Sequence, residues 1–519
     1  MKKSMLIKMV MLIMACVMAI AGCTTQTGNV AEGDLNFGET YPLDTDVTLT
    51  YWTHSVPHPD YANYKDQPFY KELMARTGVN VDYQFAPAGQ GQEAFNILIA
   101  SNKLPDIIMF DWFWLPGGPD KYMNEGYITE LNDYLPKYAP SLSKYLSDNP
   151  NIDRMVKNDS GTYYAFPCLL GADQLSVYAG FSVRKDLLDE YGLEVPTTID
   201  EWHDMLVTFK NNGVKMPLSL ANTVGEFCES YNVGKTFYLD DNGEVKYGPI
   251  EDGWKDCIVM LKQWYDEDLI DKDFGAMDWN IMSAKVAAGD VGASQSSGFD
   301  LAIWDSSAKA RGLSLDIVAT PYPTLVKGER PRMGQKENLF HGYSGGAITK
   351  ASKNKELAAK FLDYAYSEEG HIFYNYGIEG ESYTMVDGMP TYTRLVLDGD
   401  MTMNLKRYTP VGGSPSIQDP YMYDQLMQTQ IQKDAIRIWA DTDASKYLMP
   451  PVMSTAEEAQ EMSAIMTEIS TYVDAEYYKF IFGERPISEF DAYVDYIKEL
   501  GIERVLELKS SALKRFYDR

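Results

Sequence analysis

Cysteine and histidine are both scarce in this sequence, with five of each among 519 residues. Cys16 and Cys23 lie near the N-terminus, which leaves Cys168, Cys228 and Cys257 with at most one disulfide bond among them. A chain of this length with so few cysteines does not depend on a disulfide framework for its fold. We interpret the three remaining cysteines as free, buried thiols.

Several short motifs that mark catalytic or metal sites are missing. The sequence contains no H-E-x-x-H, no C-x-x-C and no G-x-x-x-x-G-K-[ST], and its histidines are scattered along the chain. This pattern does not indicate a zinc site or a serine triad, so we expect no metal and no cofactor. Paired carboxylates for glycoside cleavage meet only in space, and the sequence leaves that chemistry open.

Positive charge is also in short supply. Lys and Arg together number 46 against 75 Asp and Glu, which gives a net charge of −29 at pH 7. Nucleic acids select basic protein surfaces, so we expect no nucleic-acid partner. The imbalance also disfavours broad adhesion to other polyanions, while a local basic patch for an acidic ligand stays open.

The one strongly apolar run lies at the N-terminus. Lys2, Lys3 and Lys8 accompany the apolar segment Met9–Ala21, which predicts a signal peptide over residues 1–22. The end of this segment, Ile-Ala-Gly-Cys, resembles the lipobox of bacterial lipoproteins, and the resemblance implies cleavage before Cys23 and acylation of its sulfur, with palmitate as one acyl chain. Residues 23–44 then form a flexible tether. We therefore expect a body held by lipid on the extracytoplasmic face of the bacterial membrane.

The sequence pattern of residues 47–110 predicts alternating strands and helices. The expected elements are the strand Val47–Trp52, the helix Phe69–Thr77, the strand Val79–Phe85, the helix Gln90–Ala100 and the strand Asp106–Phe110. This βαβαβ order is typical of a parallel sheet, and ligands bind beyond the carboxyl ends of such strands.

The predicted strand ends carry aromatic, amide and carboxylate side chains. Trp52 ends the first strand, Gln90 follows the second, and Asp111, Trp112 and Trp114 follow the third. Because these ends meet at one edge of a parallel sheet, we expect all five to lie near a common ligand site.

We interpret residues 166–171 as a crossing from this first α/β lobe to a second one. The strand Tyr163–Phe166 stops at Pro167, and a second alternating run, Leu175–Val183, leads into a helix near Lys185. An ordinary loop within one domain is the alternative interpretation. The strand Leu315–Thr320 ends at two prolines and predicts a second crossing. Further predicted strands and helices are Gly345–Thr349, Lys355–Ser367, Asp424–Ala440, Thr455–Phe480 and Ser488–Lys498.

Several aromatic residues lie near predicted turns and not on helical stripes. Trp279, Phe299, Trp304 and Tyr343 belong to this group, together with the aromatic residues at the strand ends. Aromatic faces stack on the apolar faces of sugar rings, while carboxylates and amides bond the hydroxyl groups. The alternative, that each tryptophan belongs to the core, is expected to hold for about half of them.

Sequence segments spread over nearly the whole chain resemble those of a known protein family. They include LPDIIMF (104–110), GTYYAFP (161–167), VRKDLLDEYGLEVPTTIDEWHDML (183–206), KELAAKFLDYAYSEEG (355–370), YNYGIEGESY (374–383) and ISEFDAYVDYIKELGIERVLELKSSALKRF (487–516). These segments resemble those of the family-1 extracellular solute-binding proteins of carbohydrate ABC importers. Within that family, the chain most resembles the large oligosaccharide-binding subgroup, which is similar to the alginate-oligosaccharide binders.

The resemblance implies an α/β, two-lobe, periplasmic-binding-protein-like (type II) fold with hinge strands and extra C-terminal helices. It implies an N-terminal lobe of residues 45–166 and 322–377 and a C-terminal lobe of residues 167–321 and 378–519. Glu379 and Phe299 would then lie near the cleft. Some relatives carry a calcium loop where this chain has Asn211–Ser219, which contains no acidic ligand set, so no such metal site is expected.

The resulting hypothesis is a monomeric, lipid-anchored receptor with no enzymatic activity. It would bind an oligosaccharide in the inter-lobe cleft and deliver it to the permease subunits of an ABC importer. Trp52, Trp112, Trp114, Phe299 and Trp304 would stack on sugars, and Gln90, Asp111 and Glu379 would bond hydroxyls. Two alternatives stay open: an extracellular polysaccharide-processing enzyme on a two-lobe scaffold, and the ligand-binding partner of a sensor kinase.

Overall fold

The computed structural model describes residues 37–410 and 413–519. The chain divides into a compact unit, Glu39–Arg519, and an N-terminal unit, Met1–Gly38, of which only Phe37 and Gly38 are described. The predicted signal peptide, Cys23 and the first part of the predicted tether lie outside the described residues. Within the described ranges, no helix combines the length and apolarity needed to cross a membrane.

The compact unit alternates strands and helices throughout its first two thirds and is mostly helical after that. The strands are β1 (Thr48–Thr53), β2 (Asn80–Phe85), β3 (Ile107–Phe110), β4 (Cys168–Leu170), β5 (Ala179–Arg184), β6 (Met216–Ser219), β7 (Phe237–Leu239), β8 (Val245–Tyr247), β9 (Val291–Ser297), β10 (Ile317–Thr320), β11 (Gly345–Ile348), β12 (Tyr383–Val386), β13 (Met389–Tyr392) and β14 (Ser416–Gln418).

The helices vary from a single turn to seven turns. They are α1 (Pro68–Thr77), α2 (Gly91–Ser101), α3 (Gly118–Asn124), α4 (Leu135–Tyr138), α5 (Pro140–Asp148), α6 (Pro150–Met155), α7 (Lys185–Tyr191), α8 (Ile199–Asn211), α9 (Asp252–Asp266), α10 (Trp279–Ala287), α11 (Gly298–Ala310), α12 (Lys355–Asp363), α13 (Glu368–Tyr376), α14 (Arg394–Leu397), α15 (Met401–Tyr408), α16 (Pro420–Leu426), α17 (Gln430–Ala440), α18 (Ala456–Phe482), α19 (Phe490–Glu499) and α20 (Ile502–Asp518).

The first sheet has the strand order β11-β3-β1-β2. Strand β1 pairs in parallel with both β2 and β3, and the late strand β11 adds antiparallel to β3. All four residues of β3 are buried, as expected of a central strand that is covered on both faces. The predicted βαβαβ unit is therefore confirmed, with the carboxyl ends of β1, β2 and β3 at one edge.

The second sheet has the strand order β10-β5-β9-β6. Strand β5 pairs antiparallel with both β9 and β10, whereas β6 runs parallel to β9. Its core contains five tryptophans, each no more than 1% exposed, contributed by α8, α9, α11 and α17: Trp202, Trp254, Trp264, Trp304 and Trp439. Helices α18 to α20 add buried side chains to the same core, so the C-terminal helices are built mainly around the second sheet.

Three segments connect the two sheets. The first runs through β4 into β5, the second leads from β10 to β11, and the third contains β14, which pairs in parallel with β4. Two helix–helix contacts join later helices to helices that accompany the first sheet: α18 contacts α3, and α15 contacts α1. In the latter contact, the Gln67 amide donates to the Lys406 carbonyl and Arg407 pairs with Asp60.

The structure corrects some predicted boundaries. The predicted strand Tyr163–Phe166 consists only of isolated bridges at its two ends, and the true strand, β4, begins after Pro167. The predicted helix Asp424–Ala440 is two helices, because Thr429 forms a capping box that starts α17. Helix α20 follows the last predicted helix and is separated from it by Gly501 at φ 106°, a conformation that favours glycine. Cys168, Cys228 and Cys257 are buried and free.

Candidate functional site

The loop after β3 is held against the segment before β11 by three side chains. The Asp111 carboxylate accepts the backbone N–H of Ser344 at 2.8 Å. The Trp112 indole N–H donates to the Gly345 carbonyl at 3.1 Å, and that of Trp114 donates to the His341 carbonyl at 2.9 Å. A segment that is remote in sequence is thereby fixed at the carboxyl end of the first sheet.

The backbone of this segment adopts two left-handed conformations. Gly342 lies at φ 81°, and a Cβ there would come within 2.7 Å of Phe113, so the close approach to the loop requires glycine. Ser344 lies at φ 54°, which is uncommon for a residue with a side chain. Its N–H is the one that Asp111 accepts, so this carboxylate stabilises an otherwise costly backbone geometry.

Two aromatic rings are presented to solvent by this arrangement. Trp114 is 59% exposed and Tyr343 is 48% exposed, although both residue types usually bury most of their surface. Their ring centroids are 5.9 Å apart and tilted by 33°, and the His341 ring lies 5.2 Å from that of Tyr343. We call Trp114, His341 and Tyr343 the ring wall.

The ring wall forms one side of a groove of about 670 Å³. A second part of the lining consists of apolar, unbranched or small branched side chains that we call the aliphatic wall: Met449, Val452, Met453, Met462 and Met466. Met462 and Met466 project from α18 and are partly buried against the core of the second sheet. The groove thus lies between a wall fixed to the first sheet and a wall that packs partly on the core of the second sheet and partly on the separate cluster of Leu239, Val245 and Leu513.

A carboxyl–hydroxyl pair lies beside the groove. Glu337 lines the groove, and the hydroxyl of Tyr178, which precedes β5 of the second sheet, interacts with its carboxyl group. Burial raises the pKa of Glu337, and the hydrogen bond from Tyr178 opposes this shift. Tyr178 is 40% exposed, and its backbone N–H donates to the Gln335 side chain at 2.7 Å.

Two lysines also line the groove. The Lys336 ammonium lies 2.8 Å from both oxygens of Asp173, and its side chain is 10% exposed. The Lys509 ammonium lies 4.5 Å from the ring centroid of Phe237, and burial lowers its pKa. Burial also lowers the pKa of His341, with a smaller opposing effect from the Asp111 carboxylate.

A second cavity, of about 300 Å³, lies between the first sheet and helices α1, α12 and α13. Its lining includes five tyrosines whose pKa values burial raises: Tyr51, Tyr64, Tyr70, Tyr83 and Tyr374. Their hydroxyls give this cavity a polar interior, but it has no contribution from the second sheet.

The described residues offer no cluster of three or more His, Cys, Asp or Glu side chains suited to a metal ion. One pentapeptide, 342–346, matches the G-x-S-x-G pattern of serine hydrolases, which in those enzymes joins a strand to a helix. Here it leads into strand β11, Ser344 is only 2% exposed, and in the described ranges no hydrogen bond joins its hydroxyl to a histidine. The geometry is not that of an activated serine.

The sequence model of the bacterial extracellular solute-binding proteins matches residues 58–372, which is more than half of the chain. The chain belongs to this family. Among relatives of this solute-binding protein is the fructooligosaccharide ABC transporter substrate-binding protein FusA of Streptococcus pneumoniae, 25% identical over 99% of this chain and 98% of the relative. Lipoprotein LipO of Bacillus subtilis is 28% identical over 72% of this chain and 73% of its own length.

Solved structures agree on the fold. The alginate-binding protein AlgQ2 without calcium ion aligns with a TM-score of 0.74 at 22% identity, over 92% of this chain and 99% of that one. An HMO-binding solute-binding protein from Bifidobacterium longum infantis aligns with a TM-score of 0.75 at 18% identity, over 91% and 99%. The predicted two-lobe periplasmic-binding-protein-like fold is therefore confirmed. The family, FusA and AlgQ2 are described as binding proteins, not as enzymes.

Only some of the residues predicted to contact a ligand in this solute-binding protein lie at the groove. Trp114 and Tyr343 line the groove, and Asp111 lies behind them and orders their segment. Phe299 is half-buried, with its ring 5.4 Å from that of Tyr423. Trp279 is half-buried as well, and its indole N–H donates to Asp300 at 3.3 Å.

Three predicted stacking residues require correction. Trp52, Trp112 and Trp304 are 6%, 1% and 0% exposed, so protein atoms cover their ring faces. Trp52 lies 6.0 Å from the Phe110 ring, and the Trp304 indole N–H donates to a serine hydroxyl. Proximity to a strand end or a turn did not reveal which way each ring points, and these rings point into the core.

Two predicted polar residues lie on the surface and away from the groove lining. Gln90 is exposed just before α2, and its side chain makes no capping bond. Glu379 is exposed in a turn that bridges to Tyr383. Their contact with a ligand stays a prediction.

Sequence reasoning missed four groove residues. Glu337, His341 and Lys336 belong to the irregular segment between β10 and β11, which shows no periodicity that would orient a side chain. Lys509 lies on α20 near the end of the chain and reaches the groove only through the packing of the C-terminal helices. The high density of aromatic residues around Tyr343 was the only signal available for this segment.

Proposed function

We propose that this solute-binding protein is an extracytoplasmic receptor that binds an oligosaccharide in the groove and delivers it to the permease subunits of an ABC importer. The observation that carries the proposal is the groove itself, in which the solvent-exposed rings of Trp114 and Tyr343 and the Glu337 carboxyl group meet between elements of the two sheets. FusA and AlgQ2, which share its fold, are named as fructooligosaccharide and alginate binders.

The site has the chemical character that sugars require. The rings of Trp114 and Tyr343 offer apolar faces to the C–H faces of sugar rings. Glu337, Asn338 and Lys509 offer hydrogen-bonding groups for the hydroxyls. A volume of about 670 Å³ lies within the range of ligand pockets and accommodates more than one sugar ring.

The lobes of the proposed receptor follow the two sheets. The boundaries proposed here are residues 45–166 and 322–377 for one lobe and 167–321 and 378–519 for the other. The membership of β11 in the first sheet supports this division. Helix α15, although assigned to the second lobe, packs on α1 of the first. Closure of the lobes on the ligand would add contacts from both walls and favour the closed state.

The remaining features of the proposal concern location and activity. Cys23 would carry the lipid that holds a monomeric receptor at the outer face of the bacterial membrane. The groove would bind without breaking bonds: Ser344, the serine of the hydrolase-like pattern, is buried, does not line the groove and has no hydrogen bond to a histidine in the described ranges. Incubation of the purified protein with a bound glycan is expected to yield no new reducing ends.

Calorimetry tests the central claim. Trp114→Ala is expected to weaken binding of a glycan ligand about 30-fold, equivalent to about 2 kcal/mol, because it removes the largest exposed stacking surface of the groove. Tyr517→Ala is the matched control, since this ring is also about half exposed at 55% but does not line the groove. Equal affinities for the wild type and Trp114→Ala would refute the assignment of the site.

A further inference from the structure

This inference rests on the proposed function and concerns the charge of the ligand. The ionisable side chains that line the groove, apart from Tyr343, are Lys336, Glu337, His341 and Lys509. No arginine contributes to the lining among residues 37–410 and 413–519. Arginine is the side chain best suited to bind carboxylates in pairs of hydrogen bonds, so the groove lacks the usual means of holding an acidic sugar.

One of the two lysines is already neutralised. The Lys336 ammonium contacts both carboxylate oxygens of Asp173 at 2.8 Å and the Ser176 hydroxyl at 3.0 Å. Its side chain is 10% exposed, so little of it remains open to a ligand. Because the ammonium has three N–H donors and three close acceptors, an incoming carboxylate would have to displace one of them.

The other lysine is a single cation in apolar surroundings. The Lys509 ammonium lies over the Phe237 ring at 4.5 Å, and no ion pair joins it to a carboxylate of the described residues. One ammonium suffices for one acidic group at most. An oligouronate carries a carboxylate on every sugar. The carboxylates that Lys509 does not neutralise would be desolvated beside Met462 and Met466, with no cation to compensate the cost.

The polar end of the groove carries negative charge instead. Glu337 lines the groove, and the Asp111 carboxylate lies behind the ring wall, where it accepts the Ser344 N–H. Both would repel an anionic ligand, whereas carboxylates accept hydrogen bonds from sugar hydroxyls. We propose that the ligand is a neutral oligosaccharide, that the groove rejects oligouronates, and that Lys509 acts as a hydrogen-bond donor to a hydroxyl group.

The proposal is tested by calorimetry with two panels of glycans. The neutral panel contains kestose, nystose, raffinose, xylotetraose and mannotetraose, and the acidic panel contains trigalacturonate and trimannuronate. At least one neutral glycan is expected to bind about 100-fold more tightly than either acidic one. Its affinity should change less than about twofold between ~0.05 and ~0.5 M NaCl, because screening acts on charged ligands.

A substitution separates the two possible roles of Lys509. Lys509→Met keeps an unbranched stem over Phe237 and removes the ammonium. The affinity for the neutral glycan is expected to fall less than about tenfold, the loss of one ordinary hydrogen bond. Lys514→Met is the matched control, since this lysine lies on the same helix, is exposed and does not line the groove.

The outcomes distinguish this inference from the function on which it rests. Tighter binding of the acidic panel, with a strong salt dependence and a loss above about 100-fold in Lys509→Met, would overturn the neutral ligand and leave the receptor function standing. Binding of neither panel would overturn the proposed function, and this inference with it.

Discussion

The two walls of the groove are built on different principles. The ring wall is fixed by hydrogen bonds: Trp114 donates to the His341 carbonyl, and Asp111 accepts the Ser344 N–H. The aliphatic wall depends mainly on the packing of side chains such as Met462 and Met466, which lie partly buried on α18, although the Asn338 amide also donates to the Met449 carbonyl at 3.0 Å. A fixed ring stacks in one orientation, whereas methionine adapts its shape to its neighbours. We infer that the ring wall sets affinity and orientation and that the aliphatic wall sets tolerance for different sugars.

The rigidity of the ring wall depends on a buried tryptophan beneath it. Trp112 is 1% exposed, and its indole N–H donates to the Gly345 carbonyl. Trp112→Ala is expected to lower the free energy of unfolding by about 4 kcal/mol, because it leaves a large cavity. The midpoint of urea unfolding measures this loss.

The control for this prediction is the neighbouring exposed tryptophan. Trp114→Ala should cost less than about 1 kcal/mol of stability, since a side chain that is 59% exposed loses little buried surface. Similar losses for the two variants would contradict the view that buried Trp112 contributes most of the stability of this region, while Trp114 contributes one hydrogen bond and an exposed ring.

The same pair shows how far the sequence could predict the site. The βαβαβ pattern correctly located the end of β3, and thus the region in which Asp111, Trp112 and Trp114 lie. It could not separate Trp112 from Trp114, because they belong to a turn of 3-10 helix whose orientation depends on the remote segment 341–345. Local patterns define where a strand ends, but long-range contacts decide which ring is exposed.

The two sheets differ in the same way. Strands β1, β2 and β3 follow one another along the chain, so their helices and parallel pairing could be predicted from local periodicity. The second sheet joins β5 to β9 and β10, more than a hundred residues further on. Groove residues such as Glu337 and Lys509 depend on such distant packing, and no local pattern marks them.

The contrast between the walls predicts unequal effects on binding. Tyr343→Ala removes a ring whose neighbours fix it, and we expect the glycan affinity to fall about tenfold, or about 1.4 kcal/mol. Met466→Ala should weaken binding only about threefold, because neighbouring methionines can shift to fill part of the space. Calorimetry with one glycan measures both, and Met466→Leu, which conserves volume, should bind like the wild type. A larger loss in Met466→Ala than in Tyr343→Ala would reverse the proposed roles.

The smallest effect concerns the carboxyl group between the walls. Burial raises the pKa of Glu337, and Tyr178, Tyr343 and Tyr423 are the titratable groups that interact with it. A carboxyl whose pKa is higher in the folded state favours folding while protonated and loses that contribution as pH rises above its unfolded value of about 4.3. Glu337→Gln should therefore raise the melting temperature slightly at pH 7 and leave it unchanged at pH 4.

Solvent limits how much stability Glu337→Gln can gain over the wild type at pH 7. The Glu337 carboxyl is only partly buried, so screening keeps the stabilisation by glutamine below about 1 kcal/mol. Glutamine still accepts a hydrogen bond from the Tyr178 hydroxyl, which isolates the charge as the cause. A variant that is stabilised equally at both pH values would show that packing, and not ionisation, distinguishes the two side chains. Reduced stability at pH 7 would mean that the ionised carboxylate holds the groove together.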